Sequence, residues 1–199
     1  MDKLQVYKKF CTGCGLCHSV RRVEFSQNEK AFLYPKLKKE DLALCDQVCP
    51  ASGNRSAGLK ESKWGSFQEF YVGWSVDQSV RRQASSGGVL TSLCCFLLDN
   101  KLVDGVIQTK RDSNIPYMTQ TVVSKTLDEV KLCSGSRYSN SSPLYEILDL
   151  VDEGKQYAFV GKPCDVYSLK KYLESYRANI DIKYYLSFFC AGIPSENAQ

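Results

Sequence analysis

The sequence predicts an α/β fold, a mixed and largely parallel sheet with flanking helices, preceded by a small cysteine-rich iron-sulfur module. Three observations carry that expectation. From Phe67 onward, short aromatic or β-branched runs alternate with stretches whose apolar residues recur at helical spacing. Residues 1–63 hold no long periodic segment and are rich in Cys, Lys and turn residues, the texture of a ligand-organised module and a linker. Ten cysteines accompany one histidine, His18, which favours all-thiolate ligation over mixed zinc sites.

The elements of the second region follow in order. "QEFYVGWSV" (68–76) reads as a strand, "GGVLTSLCCFLLDNK" (87–101) as a helix and "VDGVIQTK" (103–110) as a strand, together one βαβ unit. A strand over 117–124 and the helices "LDEVKLC" and "SPLYEILDLVDEG" come next. "QYAFVGKPCDVYSLKKYLE" and "IKYYLSFFCAGIPS" then read as strand, turn, helix, strand, turn. The expected organisation is an iron-sulfur, ferredoxin-like module with its linker over 1–63 and an α/β domain over 64–199.

Composition narrows the function. At 199 residues and 43% hydrophobic content the chain can build one real core with a small appendage. Its net charge of +4 is spread along the chain, which argues against nucleic acid as a partner. No run of 18 apolar residues and no signal peptide is present, so no membrane span is expected and the protein is read as cytoplasmic. In a reducing compartment the cysteines call for metal or redox chemistry.

Cys11, Cys14 and Cys17 stand at C-x2-C-x2-C spacing, and Cys45-x3-Cys49-Pro50 repeats the C-x3-C-P tail of a ferredoxin run after an insertion. The spacing predicts a [4Fe-4S] cluster on Cys11, Cys14, Cys17 and Cys49, with Cys45 able to exchange roles with Cys49. An all-thiolate zinc knot on the same residues is the competing reading. Further along, Ser85, Ser86, Gly87 and Gly88 lie at a helix start, where free N–H groups and close backbone approach suit a pyrophosphate. Arg137 stands on a second polar loop, suited to a phosphate or carboxylate. Cys164 and Cys190 each follow a predicted strand, so both fall on the edge where open α/β sheets bind ligands.

The segments "VRRQASSGGVLTSL", "CSGSRYSNSSPLYEI", "FVGKPCDVYSLKKYL" and "FFCAGIPS" are similar, in this order, to the coenzyme F420 hydrogenase/dehydrogenase beta-subunit family. "CTGCGLC" with "CP" resembles the N-terminal iron-sulfur region of its bacterial members. The resemblance implies FAD near Ser86, Gly87 and Gly88, and implies that Cys164 and Cys190 match two ligands of a flavin-proximal cluster. Family members continue to a C-x2-C pair that completes that cluster, whereas this sequence stops at "PSENAQ". The flavin domain is therefore expected to be incomplete at its C-terminus and the chain to hold one cluster.

The function expected from these readings is an iron-sulfur flavoprotein oxidoreductase. FAD would exchange a hydride with a soluble carrier or substrate and pass electrons to [4Fe-4S] clusters, with ferredoxin or a partner subunit as redox partner. The alternative is a cluster-bearing electron-transfer or interaction subunit without flavin. The sequence names neither a catalytic acid or base nor the substrate.

Overall fold

The computed structural model describes residues 2–53, 67–115, 118–176, 178–195 and 197. In chain order the helices and strands are α1 (Lys3–Phe10), α2 (Leu16–Arg21), β1 (Phe25–Gln27), β2 (Leu33–Pro35), α3 (Leu42–Val48), α4 (Gln78–Gln83) and α5 (Val89–Asp99). They continue with β3 (Gly105–Arg111), β4 (Thr119–Ser124), α6 (Leu127–Leu132), α7 (Ile147–Leu150), β5 (Gln156–Gly161), α8 (Pro163–Tyr176) and β6 (Asp181–Ser187). β1 and β2 form an antiparallel hairpin, and the other four strands make one sheet in the order β4-β3-β5-β6.

That sheet is mixed, as expected: β3 pairs β4 antiparallel, but β3 with β5 and β5 with β6 are parallel. The two central strands are buried on both faces, which is why "GVIQ" and "YAF" are continuous runs and do not alternate. Successive residues still point to opposite sides. Val106 and Ala158 pack with Cys94 and Leu97 of α5 and Val130 of α6, whereas Ile107 and Phe159 pack with Leu169 and Tyr172 of α8. Helix ends are fixed locally: Thr126 and Glu129 form a capping box on α6, and Asp77 Oδ1 accepts the Ser79 and Val80 N–H groups at the start of α4.

The N-terminal region departs from expectation. Leu16, Leu44 and Val48 lie in the same core cluster as Ile107, Phe159 and Leu169, so α2 and α3 are organised by packing on the α/β body. Among the described residues no group of three or more Cys, His, Asp or Glu side chains is arranged to hold a metal ion. The expected iron-sulfur module is therefore corrected to a thiol-bearing layer built on an apolar core. The end of the expected linker, residues 54–63, lies outside the described residues.

Two elements differ as well. Residues 68–76 form no strand, because their aromatic and β-branched side chains are exposed and no sheet edge pairs with them; β propensity without a buried face does not make a strand. The first βαβ unit is consequently absent, and the parallel crossover is β5-α8-β6. The helix expected over 142–154 shrinks to Ile147–Leu150, and the segment before it is tied to the N-terminal layer, the Leu144 N–H donating to the Cys14 carbonyl at 2.9 Å. Among the described residues no helix is long and apolar enough to cross a membrane.

Candidate functional site

The parallel strands β3, β5 and β6 end on one edge, and a cavity of about 570 Å³ opens there. Gln108 and Thr109 of β3, Gly161 and Lys162 at the end of β5, Ser187 at the end of β6 and Phe188 to Cys190 after it line the cavity. Two loops close it from above: Ala84 to Thr91 before and into α5, and Cys133 to Tyr138 after α6. The Ser136 N–H donates to Ser85 Oγ at 2.8 Å, tying these loops together. This is the strand-end location at which open α/β sheets take ligands.

The structure brings most of the expected flavin residues to this cavity. Ser85, Ser86, Gly88 and Arg137 line it. Ser86, Gly87 and Gly88 carry φ of 51°, 79° and 77°, three left-handed residues in succession, a turn for which the two glycines are needed. Gly87 itself does not line the cavity; a Cβ there would lie 3.1 Å from Trp74 Cβ. Arg137 Nη1 donates to the carbonyls of Cys133, Ser134 and Gly135, so its first task is to shape the loop.

The cysteines divide into two groups. Cys11, Cys14, Cys17, Cys45 and Cys49 all line a second, small and mostly apolar cavity of about 30 Å³ between the N-terminal layer and α8. It has room for about two waters. Burial pushes the Cys14 thiol up to about 11 and Cys45 to about 12, and raises Cys11, Cys17 and Cys49 as well, so these sulfurs are held as neutral thiols. Among the described residues no group of side chains is arranged to hold a metal ion, and no step below passes through one.

Cys164 belongs with this group: burial first, then the Asp165 charge, push it up to about 11, with Cys14 among its smaller influences and Cys164 in turn acting on Cys11. Cys190 is exposed at the large cavity. Asp165 lines the large cavity, and its charge also acts on Cys14, which lines the small one.

Sequence reasoning passed over Lys162, Asp165 and Ser141, all of which line the large cavity. Lys162 Nζ lies 2.9 Å from Asp165 Oδ2, with the side chains only 7% and 0% exposed. The available signal was "GKPCD", a charged pair immediately after an apolar strand, which is a poor place for charges unless they face a site.

Comparison with known proteins agrees with this architecture. Residues 70–149 match the model for the N-terminal part of the coenzyme F420 hydrogenase/dehydrogenase beta subunit, and residues 154–199 match that for its C terminus. Over 118 residues the chain is 28% identical to the beta subunit of an F420-dependent formate dehydrogenase of Methanocaldococcus jannaschii, covering 59% of this chain and 31% of that one. Over 112 residues it is 25% identical to the beta subunit of the coenzyme F420 hydrogenase of Methanothermobacter thermautotrophicus, covering 54% and 38%. The matched region thus spans about a third of the length of these curated relatives. Both of these relatives are archaeal. A chain of the F420-reducing [NiFe] hydrogenase complex from Methanosarcina barkeri shares the fold, with a TM-score of 0.52 at 20% identity over 59% of this chain and 42% of that one.

Proposed function

We propose that this chain, which matches both parts of the coenzyme F420 hydrogenase/dehydrogenase beta-subunit family, is an electron-transfer subunit working against a partner subunit in a cytoplasmic oxidoreductase. The observation that supports this most is the cavity of about 570 Å³ at the carboxyl edge of the parallel strands, a volume suited to an organic redox cofactor. The cofactor assigned to it is FAD. Bound there, the flavin would exchange a hydride with a small carrier or substrate and pass electrons on to the partner.

The chain's own residues prepare that binding. The Ser85–Ser136 bond sets the two loops at a fixed distance, and Gly88, which lines the cavity, lets the backbone approach a ligand there with no side chain in between. Arg137 ties together the carbonyls of its own loop, and Phe188 and Phe189 line the cavity, where they would exclude water from a ligand. Ferredoxin is a further electron partner consistent with this role.

A second reading, an interaction subunit without flavin, is favoured by one observation: Phe70, Tyr71, Val72, Trp74 and Val76 are all exposed in a segment with no regular structure. One titration separates the two. Purified chain mixed with FAD is expected to quench the flavin fluorescence with a stoichiometry of one, recovered on denaturation. Absence of quenching, with the chain still capturing its partner subunit, would move the assignment to the second reading.

A further inference from the structure

The Lys162 side chain is buried at the large cavity, where its Nζ contacts Asp165 Oδ2 at 2.9 Å and donates to Ser141 Oγ at 3.1 Å. Asp165 Oδ2 also accepts the Lys162 backbone N–H at 2.9 Å. These contacts use two of the three ammonium protons. Stability does not explain the pair: taking two charges out of water is costly, and apolar replacements of buried pairs are often neutral or stabilising. Here both members line the space that a ligand would fill.

We propose that Lys162 is a positioning residue for the redox ring of the cavity's occupant, meeting the part of the ring that becomes negatively charged on reduction. This inference rests on the flavin reading above. An oxidised flavin ring is neutral; on taking two electrons and one proton, delivered together as hydride from a donor that is itself oxidised, it gains one negative charge. The Lys162–Asp165 floor suits that change. Asp165 keeps the floor close to neutral before reduction, and the ammonium offers an N–H to the ring as charge builds. A permanent polyanion such as a pyrophosphate would instead be opposed by the buried Asp165 charge just behind the ammonium, so the ring is the better occupant of this end. Charge placed beside the ring is a recognised means of tuning a flavin.

The test is the midpoint potential of FAD bound to the full chain, measured by equilibration with dithionite and a reference dye. Lys162→Gln should weaken the preference for the reduced over the oxidised ring about tenfold, which lowers a two-electron potential by about 30 mV. Asp165→Asn should move it the other way, because it leaves the ammonium unopposed. Since Lys162→Gln alone strands a buried carboxylate, the paired Lys162→Gln/Asp165→Asn variant provides a neutral floor, and its potential should again lie below that of the unaltered protein. Affinity for oxidised FAD should stay within about threefold throughout. Unchanged potentials in all three variants would overturn the proposal. So would a Lys162→Gln protein that loses FAD but keeps riboflavin, which would mark Lys162 as a phosphate holder. Failure of the unaltered chain to take up FAD would remove the flavin reading itself, and with it this inference, at the first titration.

Discussion

The His18 imidazole lies flat on the Tyr145 ring, with centroids 3.6 Å apart and planes within 7°. This stack is the centre of a seam that fastens the thiol-bearing layer to the α/β body. Around it the Ser142 hydroxyl donates to the Gly13 carbonyl at 2.7 Å, the Leu148 N–H to Ser19 Oγ at 3.1 Å, and Arg22 makes a two-pronged pair with Asp149 at 2.7 and 2.8 Å. The exposed Arg22–Asp149 pair adds little by itself. The seam holds because backbone and ring surfaces meet closely.

Gly15 shows how closely. It has φ +90°, and a Cβ there would fall 2.7 Å from the Tyr145 backbone nitrogen. Gly15→Ala is therefore expected to cost about 3 kcal/mol from left-handed strain plus the clash, lowering the melting temperature by roughly 6–12 °C in a chain of this size. Gly154→Ala is the control, since Gly154 has φ +75° but nothing within 4 Å; strain alone gives about 1 kcal/mol. Equal shifts in the two variants, read by thermal unfolding, would mean that the seam is not tightly packed.

The turn at the cavity mouth makes a different prediction. Ser86 sits at φ +51° without being glycine, whereas Gly87 and Gly88 follow at 79° and 77°. Ser86→Gly should remove left-handed strain and stabilise by a few tenths to about 1 kcal/mol. Gly87→Ala should destabilise by about 1–2 kcal/mol and disturb Trp74, whose Cβ lies 3.1 Å from the new methyl position. Thermal melts beside Trp fluorescence would check both signs. A stabilising Gly87→Ala would show that the left-handed turn is not required.

How much of this was legible in the sequence depends on what each residue needed as a partner. The strand "VIQTK" and the helix "PCDVYSLKKYL" carry their own periodicity, and both formed. The cavity location followed from strand ends alone, and Ser85, Ser86, Gly88 and Arg137 line it. "QEFYVGWSV" had the propensity of a strand but no neighbour, and only the assembled sheet reveals that its edge strands are β4 and β6. The C-x2-C-x2-C spacing pointed to a cluster, yet spacing does not disclose that Leu16 and Leu44, between and beside those cysteines, are drawn into the main core. Lys162 was invisible as a site residue for the same reason: its partners Ser141 and Asp165 meet it only in the fold.

Thiol labelling tests the cavity assignment. Cys190 is exposed at the cavity, while Cys94, which also borders it, is only 1% exposed on the buried face of α5. With iodoacetamide at pH 8, Cys190 should be modified within the first minutes and Cys94 only on unfolding, as read by peptide mass spectrometry. FAD should slow labelling of Cys190 severalfold if it fills the space that Cys190 borders. Rapid labelling of Cys94 in the folded chain would mean that α5 opens readily, and Cys190 indifferent to saturating FAD would place the flavin elsewhere.

Cys94 also predicts a pH dependence of stability. Burial is the main cause pushing its thiol up to about 12, with the neighbouring Cys95 and Cys133 adding to it, against an ordinary value near 9. Above pH 9 the unfolded chain releases this proton and the folded chain keeps it, so the folded state binds more protons and stability falls as pH rises. The contribution is fully present below pH 9 and declines between pH 9 and about 12, at up to roughly 1.4 kcal/mol per pH unit for one such group. Cys94→Val removes the titrating thiol while keeping a small apolar side chain against Leu97, Val106 and Val130. Denaturant unfolding at pH 7.5 and pH 10.5 should therefore show a smaller alkaline loss for Cys94→Val than for the unaltered chain, by about 1–2 kcal/mol. Equal losses in the two proteins would mean that Cys94 ionises freely in the fold and is not buried on the inner face of α5.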